Sequence, residues 1–194
     1  MNSYFRRQLA DYVEYHRDPW NCAMHVLGIV VLFLGAILPL SSLPLGSLGL
    51  SLWAIPALGV PVTVATIAVL PVLTYWFLLD AALGTAIVGA AIVLLSVAAI
   101  IVAHATAAAM WSITAVLIVI GITSQIVGHR VFEQRQPALV DNPAHLLLGP
   151  MFVMAKLFIA LGFRNDLAAV IAQVPQTIAR NSSLYSEGGS HPRA

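Results

Sequence analysis

A histidine and a carboxylate stand four residues apart just after the longest apolar region of the chain. They are His129 and Glu133, in the stretch Gln125-Ile126-Val127-Gly128-His129-Arg130-Val131-Phe132-Glu133. In an α-helix, residues at this spacing share one face, so the pair has the geometry of two metal ligands or of an acid–base pair. A lone pair of this kind is a weak motif and is also typical of a polar helix end at the lipid headgroups. Residues elsewhere in the chain are therefore needed to choose between the two interpretations.

The composition indicates that the solvent around this chain is lipid. Of its 194 residues, 60% are hydrophobic and only 9% are charged, whereas soluble domains carry about 25% charged residues. The net charge of +1 argues against nucleic acid as a partner. The single cysteine, Cys22, excludes an internal disulfide. Because the polar N-terminus lacks a signal-peptide pattern, the first apolar segment is predicted to be retained.

Apolar stretches predict the membrane spans. Residues 24–40, 81–103 and 109–128 are clear candidates, and a further span is predicted somewhere within residues 47–79, because a crossing needs roughly 20 apolar residues. Residues 146–163 are predicted to be interfacial or re-entrant, since they contain Gly149-Pro150 and a central Lys156.

Outside these spans, residues 1–20 have helical apolar spacing and are predicted to form an amphipathic helix at the membrane surface, followed by a turn at Tyr15–Asn21. The sequence thus predicts an all-α, polytopic membrane helical bundle of about four transmembrane helices plus interfacial or re-entrant segments. It forms a single domain over residues 1–181, and a disordered tail is expected at 182–194.

Arginines predict the orientation of the bundle. They lie before the first span and just after the last clear span, at Arg6, Arg7, Arg17, Arg130 and Arg135. The positive-inside rule places both segments on the cytoplasmic side, which requires an even number of crossings between them. Four crossings bring one set of polar residues to that side: His16, His25, His129, His145, Glu133 and Asp80.

Imidazole and carboxylate groups together suit iron, zinc or copper, and a facial set of histidines and a carboxylate with open positions suits non-haem Fe(II). Each residue also has a structural interpretation. His25 can hydrogen-bond inside the bundle, His16 can be a loop residue, His145 can lie at the interface and Asp80 can simply end a helix. The absence of clustered cysteines argues against structural zinc or an iron–sulfur cluster.

Several motifs occur in an order that resembles one membrane-protein family. They are His16…Asn21…His25-Val26-Leu27-Gly28, then Tyr75…Asp80…Gly84, then Gln125 to His129 with Phe132-Glu133 and Pro137-Ala138-Leu139, and finally Gly149-Pro150-Met151-Phe152-Val153. Over about residues 1–163 the chain resembles the 2-hydroxy fatty acid dioxygenase family of small multi-span membrane proteins.

This resemblance implies an Fe(II)-dependent dioxygenase at a bacterial inner membrane, or at the endoplasmic reticulum of a eukaryote. The reaction that it implies is α-oxidation, in which O2 shortens a 2-hydroxy long-chain fatty acid by one carbon and releases CO2. His16, His25 and His129 match the family's histidines, Glu133 matches its acidic position, and His145 is added as a fourth candidate metal ligand. Glu133 is predicted to be catalytic, while Arg130, Asn21 and Asp80 are predicted to bind the substrate. Lys156 stands where some members are expected to have an acidic residue.

Two other functional classes remain open at this stage. One is a membrane hydrolase with zinc-bound water as nucleophile and Glu133 as base. The other is a non-catalytic lipid-binding protein, in which the histidines only satisfy hydrogen bonds. Oxygen dependence and iron content separate the oxygenase from the hydrolase. Histidine substitutions would change only stability in the binding protein.

Overall fold

The computed structural model describes residues 2–43, 62–136 and 144–172, and each element in these ranges is a helix. This all-helical architecture confirms the predicted fold class. Three predicted features lie outside the described residues: the segment 47–61, the Pro137-Ala138-Leu139 motif and the tail at 182–194. The elements in chain order are α1 (Ser3–Glu14), α2 (Pro19–Ser41), α3 (Val64–Leu79), α4 (Ala81–His104), α5 (Ala107–Val127), a π-helical turn (Gly128–Phe132), α6 (His145–Ala160) and α7 (Asn165–Ala172).

Three described helices are long and apolar enough to cross a membrane, namely α2, α4 and α5 extended by the π turn. α3 is equally apolar, but its 16 residues extend only about 24 Å against a hydrocarbon core of about 30 Å. α6 and α7 meet at a bend of 114°, the geometry of a broken span or a re-entrant loop. These long apolar helices indicate an integral membrane protein.

The helices α2, α3, α4 and α5 run alternately up and down between two apolar clusters. At one end, the start of α3 returns beside the end of α2, where the Val64 N–H donates to the Leu43 carbonyl. The cluster at this end joins Ile37 and Leu38 of α2 with residues of α3, α4 and α5. At the other end, a larger cluster joins α1, α6 and α7 to the start of α2 and to the α3–α4 junction. The candidate site lies at this second end.

The first helix packs into the bundle. Asn2 caps α1 by accepting hydrogen bonds from the N–H groups of Tyr4 and Phe5, and the apolar face of α1, including Phe5 and Leu9, is buried in the core. The sequence predicted this helix correctly but placed its apolar face on the membrane surface. The amphipathic pattern is the same in both cases, because it does not identify what covers the apolar face.

The second helix begins earlier than its hydropathy predicts. The Asp18 carboxylate caps it by accepting from the N–H groups of Trp20 and Asn21, and Pro19 occupies the first turn, where no N–H donor is required. The turn predicted over Tyr15–Asn21 therefore ends at Asp18. Its earlier end puts Asn21 and Cys22 on a helix that faces the core.

Glycines bring α2 and α5 into close contact. A Cβ on Gly28 would lie 3.1 Å from the Gly121 carbonyl oxygen, and one on Gly35 would lie 3.1 Å from the Ile118 side chain. The missing side chains let the two backbones approach closely, as is common between membrane helices. This contact holds the start of α2 beside the end of α5, where the candidate site residues lie.

An ion pair joins the α3–α4 junction to α7. The Asp80 carboxylate caps α4 by accepting a hydrogen bond from the Leu83 N–H. It also accepts a bidentate pair of hydrogen bonds from Arg164, from Nη1 to Oδ1 at 2.9 Å and from Nη2 to Oδ2 at 3.0 Å. Arg164 also binds the exposed carboxylate of Asp166. Burial alone would raise the pKa of Asp80, but the hydrogen bonds from Arg164 and Leu83 outweigh it and the pKa lies below its usual range.

Replacing Arg164 by glutamine is expected to lower the free energy of unfolding at neutral pH by about 1–3 kcal/mol, because two charge-assisted hydrogen bonds to a buried carboxylate are lost. Asp80 has a depressed pKa in the folded state, so its contribution is complete above the ordinary pKa of 3.8 and is lost as the pH falls below it. Thermal unfolding in detergent should therefore show a lower Tm for the variant than for wild type, and this difference in Tm should become smaller below about pH 4. The exposed partner gives a control, since Asp166→Asn should change stability little. An equal loss in both variants would contradict a special role for Asp80.

Candidate metal centre

Three histidines from three different segments meet in the interior. His16 lies in the α1–α2 loop, His25 in the second turn of α2 and His129 in the π turn that follows α5. All three are buried, with exposed fractions of 2–4%. One ring nitrogen of each lies within 4.8 Å of those of the other two. The sequence predicted this convergence.

Backbone carbonyl groups fix the tautomers of two of these rings. His16 Nδ1 lies 2.8 Å from the Tyr12 carbonyl oxygen and His25 Nδ1 lies 3.2 Å from the Asn21 carbonyl oxygen. A carbonyl oxygen only accepts, so each Nδ1 must carry the hydrogen, and the lone pair of the neutral ring is on Nε2. Metal-binding histidines are typically oriented in this way. His16 Nε2 and His129 Nδ1 are buried and have no hydrogen-bond partner among the described residues.

Aromatic rings hold His16 in place. The Tyr12 ring stacks on it at a centroid distance of 4.0 Å, and Phe152 packs on it at 5.5 Å. Burial, together with the neighbouring His25, lowers the pKa of His16 to about 2. The ring is therefore neutral at physiological pH, as a metal ligand must be. A role for Tyr12 at the site was not predicted from the sequence, although its spacing of four residues from His16 on a predicted helix was the available signal.

The π-helical turn separates the two residues that first indicated chemistry. Its wider turn, closed by a hydrogen bond from the Glu133 N–H to the Gly128 carbonyl, displaces Glu133 from the position that an α-helix would give it. His129 joins the other histidines, but Glu133 points to the α1–α2 loop. Its carboxylate accepts hydrogen bonds of 3.0–3.1 Å from the N–H groups of Arg17 and Asp18 and from Asn21 Nδ2. Among the described residues, the group of metal-ligating atoms contains no carboxylate.

Asn21 ties the same loop to the π turn. Its Nδ2 donates to the Tyr15 carbonyl and to Glu133, and its side chain is fully buried. Its Oδ1 lies against Gly128, where a Cβ would approach it to 2.5 Å. A side chain at position 128 would therefore displace an anchored group.

We expect Gly128→Ala to lower the free energy of unfolding by about 1–3 kcal/mol, because overpacking at a fixed contact forces backbone shifts. Since the shift falls beside His129, metal affinity should fall with it. The matched control is Gly89→Ala in α4, where a Cβ meets nothing within 4 Å; this change should be neutral or slightly stabilising. Thermal unfolding and metal titration of both variants test the contact, and equal behaviour of the two would contradict it.

The other predicted site residues lie outside the ligand group of the three histidines. His145 is buried at the start of α6, edge-on to the Tyr12 and Tyr15 rings at 5.4 and 5.8 Å. It belongs to the same cavity as the three histidines but not to their ligand group. Arg130 is exposed, and Asp80 is paired with Arg164. The structure thus brings His145 to the site and leaves Asn21, Arg130 and Asp80 outside the cavity lining.

Lys156 lies behind the site. Its Nζ is 3.0 Å from Cys22 Sγ and 5.0 Å from the centroid of the Phe152 ring. Cys22 is buried, and its Sγ lies 3.4 Å from the His16 carbonyl oxygen. Lys156 therefore supports the loop that carries His16, and it does not line the cavity.

A cavity of about 370 Å³ begins at the histidines, and this volume is within the range of small-molecule sites. Beyond the histidines its lining is mainly apolar and comes from α2 and α5. No described Lys, Arg, Asp or Glu lines it. The lining residues are Tyr12, His16, His25, Ile29, Leu32, Ile122, Gln125, Ile126, His129, His145, Leu146 and Gly149.

Comparison with known proteins identifies the family. The family described as 2-hydroxy-palmitic acid dioxygenase Mpo1-like matches residues 2–161, which include the three histidines and every element through α6. The chain belongs to this family. The matched region of the Mpo1-like family begins before α1 and ends after α6, so it contains all the helices that form the cavity.

One curated relative of this chain is the 2-hydroxy-palmitic acid dioxygenase MPO1 of Saccharomyces cerevisiae. The two are 39% identical over 72 residues, which are 37% of this chain and 41% of the yeast protein. The alignment therefore spans less than half of either protein. No solved structure matches the chain.

Proposed function

We propose that the protein is a membrane dioxygenase that shortens 2-hydroxy long-chain fatty acids by one carbon, with an Fe(II) ion held by His16, His25 and His129. The observation that carries this proposal is the group of three buried ring nitrogens within 4.8 Å of one another. The family description and the name of the yeast relative support the substrate class.

The chain's residues fit a metal ion. Small rotations would bring the three nitrogens to the separation of ligands about 2.1 Å from one ion. Two rings donate their remaining N–H to backbone carbonyls, so lone pairs face the common space. Two buried nitrogens of the group have no other partner among the described residues, which would be costly without a ligand.

The reaction balances as R–CH(OH)–COOH + O2 → R–COOH + CO2 + H2O. Bound iron(II) would supply the oxygen chemistry, since open positions on such a site suit oxygen activation. The histidines would hold the ion, and the Tyr12 and Phe152 rings would hold the His16 ring in its orientation. Because no described cation lines the cavity, the carboxylate and hydroxyl of the substrate would be recognised at the histidine end and not by Arg130.

His145 would bind the substrate's polar head. It lines the cavity beside the three histidines but is not one of the ligand group. We therefore expect His145→Ala to keep iron binding near the wild-type level while raising the KM for the 2-hydroxy acid roughly tenfold, the effect of losing one or two polar contacts. Iron titration and oxygen-uptake kinetics measure the two effects. A loss of iron in this variant would restore His145 as the fourth ligand that the sequence predicted.

The arginine distribution favours a cytoplasmic location for the histidine end of the bundle, at the inner membrane of a bacterium or at the endoplasmic reticulum of a eukaryote. Arg17, Arg130 and Arg135 lie at this end, near the loop that carries His16. Accessibility of cysteines introduced at exposed Arg130 and at exposed His104, tested with a membrane-impermeant thiol reagent in oriented vesicles, would check this sidedness.

Oxygen uptake tests the proposed function. The purified protein, reconstituted with Fe(II), should consume O2 with 2-hydroxypalmitic acid and should not respond to palmitic acid, which lacks the hydroxyl group. Folded and iron-loaded protein that consumes no O2 with the hydroxy acid would overturn the proposal.

A membrane zinc hydrolase is the second candidate, because three histidines with an open position also suit catalytic zinc. A hydrolase would also need a general base, and the Glu133 carboxylate already accepts hydrogen bonds from backbone N–H groups of the α1–α2 loop. Reconstitution with Zn(II) separates the candidates: a hydrolase would be active with zinc and would not need O2.

A further inference from the structure

The cavity extends from the histidines along the seam between α2 and α5. On α2 its lining residues are His25, Ile29 and Leu32, and on α5 and the π turn that continues it they are Ile122, Ile126 and His129. Both sets have a spacing of one and two helical turns, so the lining runs about 10 Å from the histidines toward the middle of the membrane helices. The polar end of the cavity is therefore buried, and its other end is apolar.

One side of this cavity is open. Three of its lining residues are largely exposed, with exposed fractions of 47% for Ile122, 50% for Ile126 and 67% for Leu146. They lie on α5 and at the start of α6, and α5 is one of the helices long and apolar enough to span a membrane. In a bilayer the surface around Ile122 and Ile126 faces lipid. The opening between α5 and α6 is therefore an opening to the lipid phase.

The deep end of the cavity is closed by a tight packing contact. The Leu32 side chain packs directly against Gly121, where any Cβ would collide with it. Near the histidines, Gln125 is the lining residue that leads from the polar to the apolar part, and its Nε2 lies 3.5 Å from the His25 carbonyl oxygen. This gradient from imidazole to aliphatic groups matches a molecule with a polar head and a hydrocarbon tail.

We propose that the seam between α2 and α5 is the acyl-chain site, and that the substrate enters it sideways from the bilayer through the gap between Ile122, Ile126 and Leu146. This inference rests on the proposed function for the identity of the head group. The occupant is a single fatty acyl chain whose polar head lies at the histidines. Charged groups are absent from the described lining, so hydrocarbon is the chemistry that the seam accepts.

Photolabelling tests the site without requiring turnover. The full-length protein in lipid nanodiscs is irradiated with a palmitic acid that carries a diazirine near the middle of its chain, and the labelled residues are mapped by mass spectrometry. Labelling of Ile29, Leu32, Ile122 or Ile126 is expected, with competition by unlabelled 2-hydroxypalmitic acid. Labelling confined to the outer faces of the helices would overturn the proposal.

Two matched variants sharpen the test. Ile122→Trp fills the seam at a position seven residues from His129. This change is expected to reduce labelling of the seam residues at least tenfold. Val119→Trp adds the same side chain one turn away, at an exposed residue (63%) that does not line the cavity. The seam in this variant should be labelled as in wild type. Iron content should be unchanged in both variants, because neither residue belongs to the ligand group. Equal labelling of the two variants would contradict the proposal.

The outcomes distinguish this inference from the proposed function. Seam labelling in a protein that consumes no O2 would keep the acyl site and reject the dioxygenase. Hydroxy-acid-dependent oxygen uptake with unlabelled seam residues would keep the dioxygenase and reject the site. A photoreactive phosphatidylcholine that labels the seam as strongly as the fatty acid would show a general lipid crevice and overturn the proposal.

Discussion

Replacing His129 by alanine is expected to abolish oxygen uptake and to lower Fe(II) affinity by more than 100-fold. The change removes one of the three proposed ligand nitrogens among the described residues, and even outer-shell changes at metal sites cost about 10- to 100-fold. Anaerobic Fe(II) titration and oxygen uptake measure the two effects, and circular dichroism monitors the fold.

The control for this change is His104→Ala. His104 is exposed at the end of α4 and lies outside the ligand group, so iron binding and turnover should match wild type. Because alanine leaves a void in a buried site, His129→Gln is the second variant; it fills most of the space but removes the imidazole. Wild-type iron affinity in both His129 variants would contradict the three-histidine centre.

Removing the Glu133 carboxylate is expected to have the second-largest effect. Glu133→Ala leaves the N–H groups of Arg17 and Asp18 and the amide of Asn21 without their acceptor. We expect the free energy of unfolding to fall by about 2–3 kcal/mol and Fe(II) affinity to fall about 10- to 100-fold, as for other supporting residues, because this loop carries His16. Thermal unfolding and iron titration provide the readouts, with Asp11→Ala, an exposed carboxylate on α1, as the control.

The conservative variant separates positioning from catalysis. Glu133→Gln keeps an oxygen acceptor for the loop, so a positioning role predicts partial recovery of stability and of iron affinity. A catalytic carboxylate, as the sequence indicated, predicts the opposite pattern: normal iron affinity and stability with turnover lost in both variants. The second pattern would reject the structural role.

The order of the spans made the histidine cluster predictable, although each histidine alone is a weak signal. Hydropathy locates the spans, and their alternation brings His25 and His129 to one end of the bundle. The spacing between elements could not reveal which groups on that end touch. His145, predicted as a ligand, lies in the same cavity but outside the ligand group.

Local geometry accounts for the expectations that differ from the structure. The prediction that His129 and Glu133 share one face depended on an α-helix at these residues, but the chain forms a π turn there. No composition rule predicts such a turn, because it depends on tertiary contacts that include the Glu133 carboxylate with the α1–α2 loop. The partner of Asp80 was equally hidden, since Arg164 is 84 residues away in the sequence and lies beyond the predicted re-entrant segment.

The release of carboxyl carbon tests the central claim most directly. Wild-type protein loaded with Fe(II) is supplied with 2-hydroxypalmitic acid labelled at its carboxyl carbon, and labelled CO2 and O2 consumption are followed together. We predict one CO2 released for each O2 consumed, a fatty acid product shorter by one carbon, and no release in zinc-loaded protein or in His129→Ala. Folded, iron-loaded wild type that leaves the carboxyl carbon in place would contradict the proposed dioxygenase.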